Sequence, residues 1–208
     1  MLDINQNLKK GDKVKIIFGT SSKWRQKFFD QFGFEYKIMS ADIDEKSIRL
    51  DDPKKLTLAI AKAKADDILK KITEDVILVT FDQVVACNGI IYEKPKDQEE
   101  MRQFWKSYEK YPALTYSAVA VTDSVSGRQF SDVDIASVFF NPVPADVLQK
   151  ILADDNMYTS SGGFMINYPL TDSYIKSTNG DIGSVEGIPV ELTKNLISRL
   201  IRARGDKI

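Results

Sequence analysis

Apolar residues recur along the chain in two rhythms. Short unbroken runs predict buried strands, and longer stretches with apolar residues three or four apart predict helices. Residues 13–19 (KVKIIFG) and 75–81 (DVILVTF) are runs of the first kind. After the first run, TSSKWRQKFFDQF carries Trp24, Phe28 and Phe32 at i, i+4 and i+8, which predicts strand, tight turn and helix. Residues 34–39 predict a second strand leading into the acidic loop SADIDEKSIRLDD. Pro53, tolerated in a first helical turn, opens a helix predicted to reach Ile72, with Ala61, Ala65, Ile68 and Ile72 as its buried stripe. VVACNGIIYEKP predicts a hairpin around an Asn88-Gly89 type I′ turn, so Asp82 falls between a strand and a hairpin. Further elements are a helix over residues 97–108, strands over 117–122 and 133–140 joined by a turn at Ser126-Gly127, and a helix over 144–153. Glycine-containing loops at 160–163 and at Asn179-Gly180 precede a closing helix over 189–203. Alternating strands and helices, with no repeat, linker or low-complexity segment, predict one α/β domain over residues 1–208: a mixed twisted sheet flanked by helices.

Composition narrows what such a domain does. The 29 basic and 30 acidic side chains nearly cancel, so no global field holds a long polyanion, and stable nucleic-acid binding is disfavoured. The sequence has no histidine and a single cysteine, Cys87. That excludes imidazole bases, Ser-His triads, multi-thiolate zinc sites and an intrachain disulfide, and leaves carboxylate, lysine, hydroxyl and metal-bound water for chemistry. No run approaches the length of about 18 apolar residues needed to span a membrane, and MLDINQNLKKGDK lacks a signal-like apolar stretch, so a cytoplasmic protein is expected.

Four groups of residues carry candidate chemistry. GTSSKWRQ, at a strand-to-helix turn, offers backbone N–H groups, the hydroxyls of Thr20 and Ser22, and the planar fork of Arg25 for phosphate oxygens; the alternative is helix capping by Ser22 with Arg25 solvated. It lacks the GxxxxGK[ST] pattern of a P-loop. Asp42, Asp44 and Glu45 either help hold a hard divalent cation or form a solvated acidic loop. Asp82, abutting a wholly apolar strand, needs a partner for its charge and suits metal binding or proton abstraction from water; a turn aspartate is the alternative. Lys64 has Ile60 and Ile68 four residues to either side, so its stem borders the buried face, and Lys94 sits in EKPKD. Two such cations near Asp82 make a triphosphate clamp; apart from it they are a snorkelling and a solvated lysine.

In order and spacing these motifs resemble the Maf family of nucleotide pyrophosphatases, from about Lys15 to Leu196. GTSSKWRQKFF is similar to the family's opening turn, with Lys23 in place of a proline. Asp44-Glu45, Lys64-Ala65, Asp82 and Glu93-Lys94-Pro95 resemble its acidic pair, helix lysine, strand-end aspartate and lysine-proline step. SAVAV, SSGGF with Asn167, and GDIGSVEGIPV resemble its later signatures. The resemblance implies two lobes around a cleft, a homodimer, and magnesium- or manganese-assisted attack of water at the α-phosphate of a nucleoside triphosphate. Asp82 is then the catalytic base and a metal ligand with Glu45, while Thr20, Ser22, Arg25, Lys64 and Lys94 bind substrate. Trp24 and Gln83 resemble the branch that prefers 7-methyl-GTP, with Asn167 standing where that branch has glutamate; these three are the specificity candidates. The implied role is removal of an unwanted nucleotide, and the alternative is a catalytically weakened, nucleotide-binding regulator of cell division. Neither role involves a membrane.

Overall fold

A computed structural model describes residues 14–205 apart from the side chains of Lys23, Trp24 and Gln31, so residue 13 of the predicted first strand lies outside it. The chain runs β1 (Lys15–Gly19), α1 (Lys23–Gln26), β2 (Glu35–Met39), α2 (Pro53–Leu69), β3 (Ile77–Cys87), β4 (Ile90–Tyr92), α3 (Gln98–Tyr108), β5 (Ala113–Asp123) and β6 (Gln129–Phe140). It continues through α4 (Ala145–Ala153), α5 (Pro169–Asp172), β7 (Ile175–Asn179), α6 (Ile182–Val185) and α7 (Val190–Ala203). The strands form one mixed sheet in the order β2-β1-β3-β5-β6-β7, with β4 added beside β3. β1 is parallel to β2 and β3; the β3-β5-β6-β7 ladder is antiparallel.

The two-residue period of β3 sorts its side chains between two layers. Ile77, Val79 and Phe81 enter a core with Ile16, Phe18 and the Leu196, Ile197 and Leu200 stripe of α7. Leu78 faces the other way, packing with Ile17 under Ala65 and Ile68 of α2, and Thr80 on that face donates to Ala61 O at 2.7 Å. Helices therefore cover both faces, as the alternation of strands and helices predicts. A second core gathers Val85 and Cys87, from the far end of β3, with Trp105 and Tyr108 of α3 and Ile151 and Leu152 of α4. These two cores are the two largest of five clusters of buried side chains among the described residues.

Three expectations change. β3 does not stop at Phe81: it runs on to Cys87 fully paired with β5, so Asp82 is within a strand rather than between elements. The strong β propensity of VVAC carries the strand through. The predicted helix after β1 is cut to the four residues of α1 followed by a 3-10 turn at Phe29–Phe32, which buries Phe29 and Phe32 against Phe18 and leaves Phe28 at the margin. Stacking of Phe29 on Phe18, with centroids 3.9 Å apart, outweighs the i, i+4 rhythm. β5 and β6 are longer than predicted, and β7, whose IKSTN carries no apolar run, is additional.

Candidate active site

β1 accompanies β3 only as far as the Gly19–Thr80 pair, and β4 joins β3 at Val85. On the edge between those pairings, the carbonyls of Phe81 and Gln83 need other donors, since a buried backbone acceptor is costly to leave unpaired. Lys64 Nζ donates to Phe81 O at 3.3 Å, and Ser161 Oγ donates to Gln83 O at 3.2 Å. This gap in the sheet opens into a cavity of about 670 Å³. Its walls include Gly19, Thr20, Ser22 and Arg25 from the first turn, Glu45, Lys64, Asp82 and Gln83, Lys94, and the loop bearing Ser160, Ser161 and Met165.

Asp82 shares the face of Leu78 and Thr80 and so points at α2. The residue is 5% exposed, and its carboxylate accepts a 2.8 Å hydrogen bond from Lys64 Nζ through Oδ1, while Oδ2 is buried without a partner. Lys64 also reaches Glu45 Oε1 at 3.0 Å, so one ammonium bridges the two carboxylates. Burial raises the Asp82 carboxyl above its ordinary range, opposed first by Lys64 and then by Arg25. Burial lowers the Arg25 guanidinium, and the charges of Asp82 and Glu45 hold it up. A proton-accepting group thus sits between two cations in a shielded place.

The turn after β1 is poised to donate. Thr20 Oγ1 accepts from the Ser22 N–H at 3.1 Å, which leaves the Thr20 hydroxyl hydrogen for another acceptor. Ser22 takes the N-cap position of α1 without a capping hydrogen bond, so the capping alternative for its hydroxyl is not what the structure has. Arg25 lies against Gly187, where a Cβ would approach its Nε and Nη2 to 2.9 Å. Lys94 is exposed on the cavity wall.

Other candidates are placed elsewhere. The acidic cluster does not converge: Asp42 uses its backbone N–H on Asp67 at 2.8 Å, Asp44 Oδ1 accepts from Lys46 N at 3.1 Å, and Glu45 alone reaches Lys64. Among the described residues, no group of three or more His, Cys, Asp or Glu side chains comes together. Gln83 points to the opposite face from Asp82, and its amide nitrogen is engaged by Ser184 O at 2.8 Å, Val185 O at 2.9 Å and Ser117 Oγ at 3.2 Å. Only its carbonyl remains for a ligand, so two-way reading of a base edge is not available to it. Asn167 is exposed and outside the cavity, held at φ 57° in the turn before α5 with its N–H on Asp172 Oδ1 at 3.3 Å. The Trp24 side chain lies outside the described residues. Sequence reasoning missed Ser161 and the Gln83–Ser184 tether; the alternation along β3 would have put Gln83 opposite Asp82 had the strand been taken through to Cys87.

Fold and site together define an α/β protein with its cations, hydroxyls and a buried carboxylate gathered at an interruption of the sheet. The chain belongs to the Maf family: the family described as Maf-like protein matches residues 15–200. A 7-methyl-GTP pyrophosphatase of Dictyostelium discoideum is 36% identical over 192 residues, covering 89% of this chain and 96% of that protein. A dTTP/UTP pyrophosphatase of Clostridium novyi is 26% identical over 194 residues, covering 93% and 97%. A 7-methyl-GTP pyrophosphatase of Idiomarina loihiensis is 28% identical over 152 residues, covering 73% and 77%. No helix among the described residues is long and apolar enough to cross a membrane.

Proposed function

We propose that this chain is a nucleoside triphosphate pyrophosphatase, converting the triphosphate and water to the monophosphate and pyrophosphate. The observation that carries the reading is Asp82, a buried carboxylate with one unpartnered oxygen, flanked by Lys64 and Arg25 on the wall of the large cavity. Asp82 takes a proton from the water that attacks the α-phosphorus, and the bond from that phosphorus to the bridging oxygen breaks. Its raised pKa brings its basicity closer to what a neutral-pH base needs. Arg25, Lys64, Lys94 and the hydroxyls of Thr20 and Ser22 hold the phosphates and meet the charge that grows on the departing pyrophosphate.

An all-oxygen donor set fits a hard divalent cation, magnesium or manganese. Asp82, through its unpartnered Oδ2, and Glu45 are the residues that would hold it, with phosphate oxygens and water completing the shell. When bound, the cation supplies neutralisation of phosphate charge. The names of these relatives span a modified purine and pyrimidines; we favour the modified purine, because the 36% match is a 7-methyl-GTP pyrophosphatase. In this reading the protein is a cytoplasmic homodimer that removes an unwanted nucleotide. Assembly of Asp82, Lys64 and Arg25 around one cavity supports turnover over the regulator alternative.

The test is Asp82→Asn, which keeps the shape and removes the base. Turnover is expected to fall roughly 10²-fold or more with unchanged circular dichroism. The wild type releases pyrophosphate and a monophosphate; orthophosphate with a diphosphate, or near wild-type rates in the variant, overturns the assignment.

A further inference from the structure

The loop at Ser160–Phe164 forms a cavity wall, yet its shape is set from behind. On α3, Trp105 and Tyr108 are three residues apart and therefore lie on one face of the helix. Trp105 Nε1 donates to Gly163 O at 3.1 Å and Tyr108 Oη donates to Gly162 O at 2.8 Å, both bonds buried. The two glycines take φ 75° and 64°, a consecutive left-handed pair that turns both carbonyls toward α3 and that side chains rarely adopt. There is no room for a side chain either: a Cβ on Gly162 would lie 2.7 Å from Tyr108 Oη and 2.8 Å from Val85 Cγ2.

The same loop grips the segment that carries Lys94. Gly162 N–H donates to Glu93 O at 3.0 Å, and a Cβ on Gly163 would lie 3.4 Å from Pro95 Cγ. Ser160 Oγ closes the loop on Phe164 O at 2.7 Å, and Ser161 Oγ ties it to Gln83 O beside Asp82. Two buried aromatic donors therefore hold, through one pair of glycines, both the wall bearing Ser160 and Met165 and the backbone on which Lys94 sits.

We infer that Trp105 and Tyr108, neither of which lines the cavity that holds Asp82, are positioning residues that set where this wall and Lys94 stand relative to Asp82. The inference rests on the pyrophosphatase reading for its kinetic test and on geometry alone for its binding test. Tyr108→Phe deletes one hydroxyl and keeps the ring stacked on Phe140 and edge-to-face with Trp105 and Phe164. It leaves Gly162 O unpaired in the interior, so the loop relaxes away from α3. KM is expected to rise about tenfold with kcat changed much less, the pattern of lost binding in both ground and transition states. Gly162→Ala, which pushes the loop off the same hydroxyl from the other side, is expected to give the same split. Thr115→Val is the control, since it removes a buried side-chain hydrogen bond to Ala136 O at 3.3 Å away from the cavity. It is expected to lower Tm and leave KM unchanged.

Calorimetric binding of a non-hydrolysable α,β-methylene triphosphate is measured on all four proteins. Weaker binding in Tyr108→Phe and Gly162→Ala, but not in Thr115→Val, supports the inference even if the wild type releases no pyrophosphate, a result that would sink only the enzymatic reading. Equal affinity and equal KM in Tyr108→Phe and wild type, whatever the change in Tm, overturns it.

Discussion

Replacing Lys64 by methionine keeps a long apolar stem and deletes one charge. In the folded chain that charge lies 2.8 Å from Asp82 Oδ1 and 3.0 Å from Glu45 Oε1, with the Lys64 and Asp82 side chains 12% and 7% exposed. Unit charges at the 2.8 Å separation attract by roughly 6 kcal/mol at an effective dielectric of about 20, before desolvation is subtracted. Stripping one partner from a buried pair typically costs about 3–5 kcal/mol. The chain escapes part of that cost by protonating Asp82. Burial already raises this carboxyl above its ordinary 3.8, and Lys64 is the first of the groups pulling it down, so in Lys64→Met it rises further. Between the ordinary and the raised value the folded state binds a proton that the unfolded chain has released, so stability falls as pH rises through that window. The window reaches to higher pH in the variant. The Tm deficit of Lys64→Met is therefore expected to be small in acid and to widen toward neutral pH, at about 2–4 °C per kcal/mol for a domain of this size. The acid limb of kcat/KM is expected to move to higher pH, because the base is ionised later. Differential scanning fluorimetry and pyrophosphate release across one buffer series measure both. A Tm deficit independent of pH together with an unmoved acid limb would refute the coupling of Lys64 to Asp82.

Three further outcomes are expected. Excess chelator stops pyrophosphate release and added magnesium or manganese restores it; full activity in chelator without metal contradicts a cation on Asp82 and Glu45. Gly187→Ala places a Cβ 2.9 Å from the Arg25 guanidinium at a backbone φ of 83°, so Tm falls by the equivalent of roughly 1–2 kcal/mol and KM for the triphosphate rises; an unchanged KM would show that Arg25 does not depend on this contact. Catalytic efficiency ranks 7-methyl-GTP ahead of dTTP and UTP, and Trp24→Arg compresses the ranking; a wild-type preference for pyrimidines removes the purine assignment and leaves the pyrophosphatase reading standing.

The site was legible in the sequence where a charge interrupts an apolar pattern. Asp82 after ILVTF and Lys64 between Ile60 and Ile68 each announce a charge at the edge of a core, and the structure pairs them. Arg25, Glu45 and Lys94 come with them to the same cavity. The acidic loop was not legible, because whether Asp42, Asp44 and Glu45 converge depends on which of them the backbone uses for its own turns. Where Gln83 and Asn167 stand was hidden for a related reason: strand parity ties the Gln83 amide nitrogen to Ser184 and Val185, and a left-handed turn holds Asn167 outside the cavity, and neither shows in residue type. The aromatic run FFDQF misled because stacking on Phe18, a long-range contact, sets which phenylalanines are buried. Elements with clean punctuation held well: Asn88-Gly89 takes positive φ at both residues, and Asp97 caps α3 by accepting from Glu100 N at 2.8 Å.

The β3–β5 pairing is continuous from Ile77–Asp123 to Ala86–Leu114, and β5 pairs with β6 from Ala113–Val138 to Thr122–Gln129, so the same ladder passes beneath the cavity and into both cores. A hinge between the two cores would have to work through that ladder, at the rung where Asp82 pairs with Ala118. A ladder unbroken from one core to the other predicts that the two cores keep their arrangement when a ligand binds. On the pyrophosphatase reading, a nucleotide is then expected to be accommodated by side-chain movement, such as release of the Lys64 bridge to Glu45, and amide exchange across residues 79–84 is expected to stay as slow with nucleotide bound as without it.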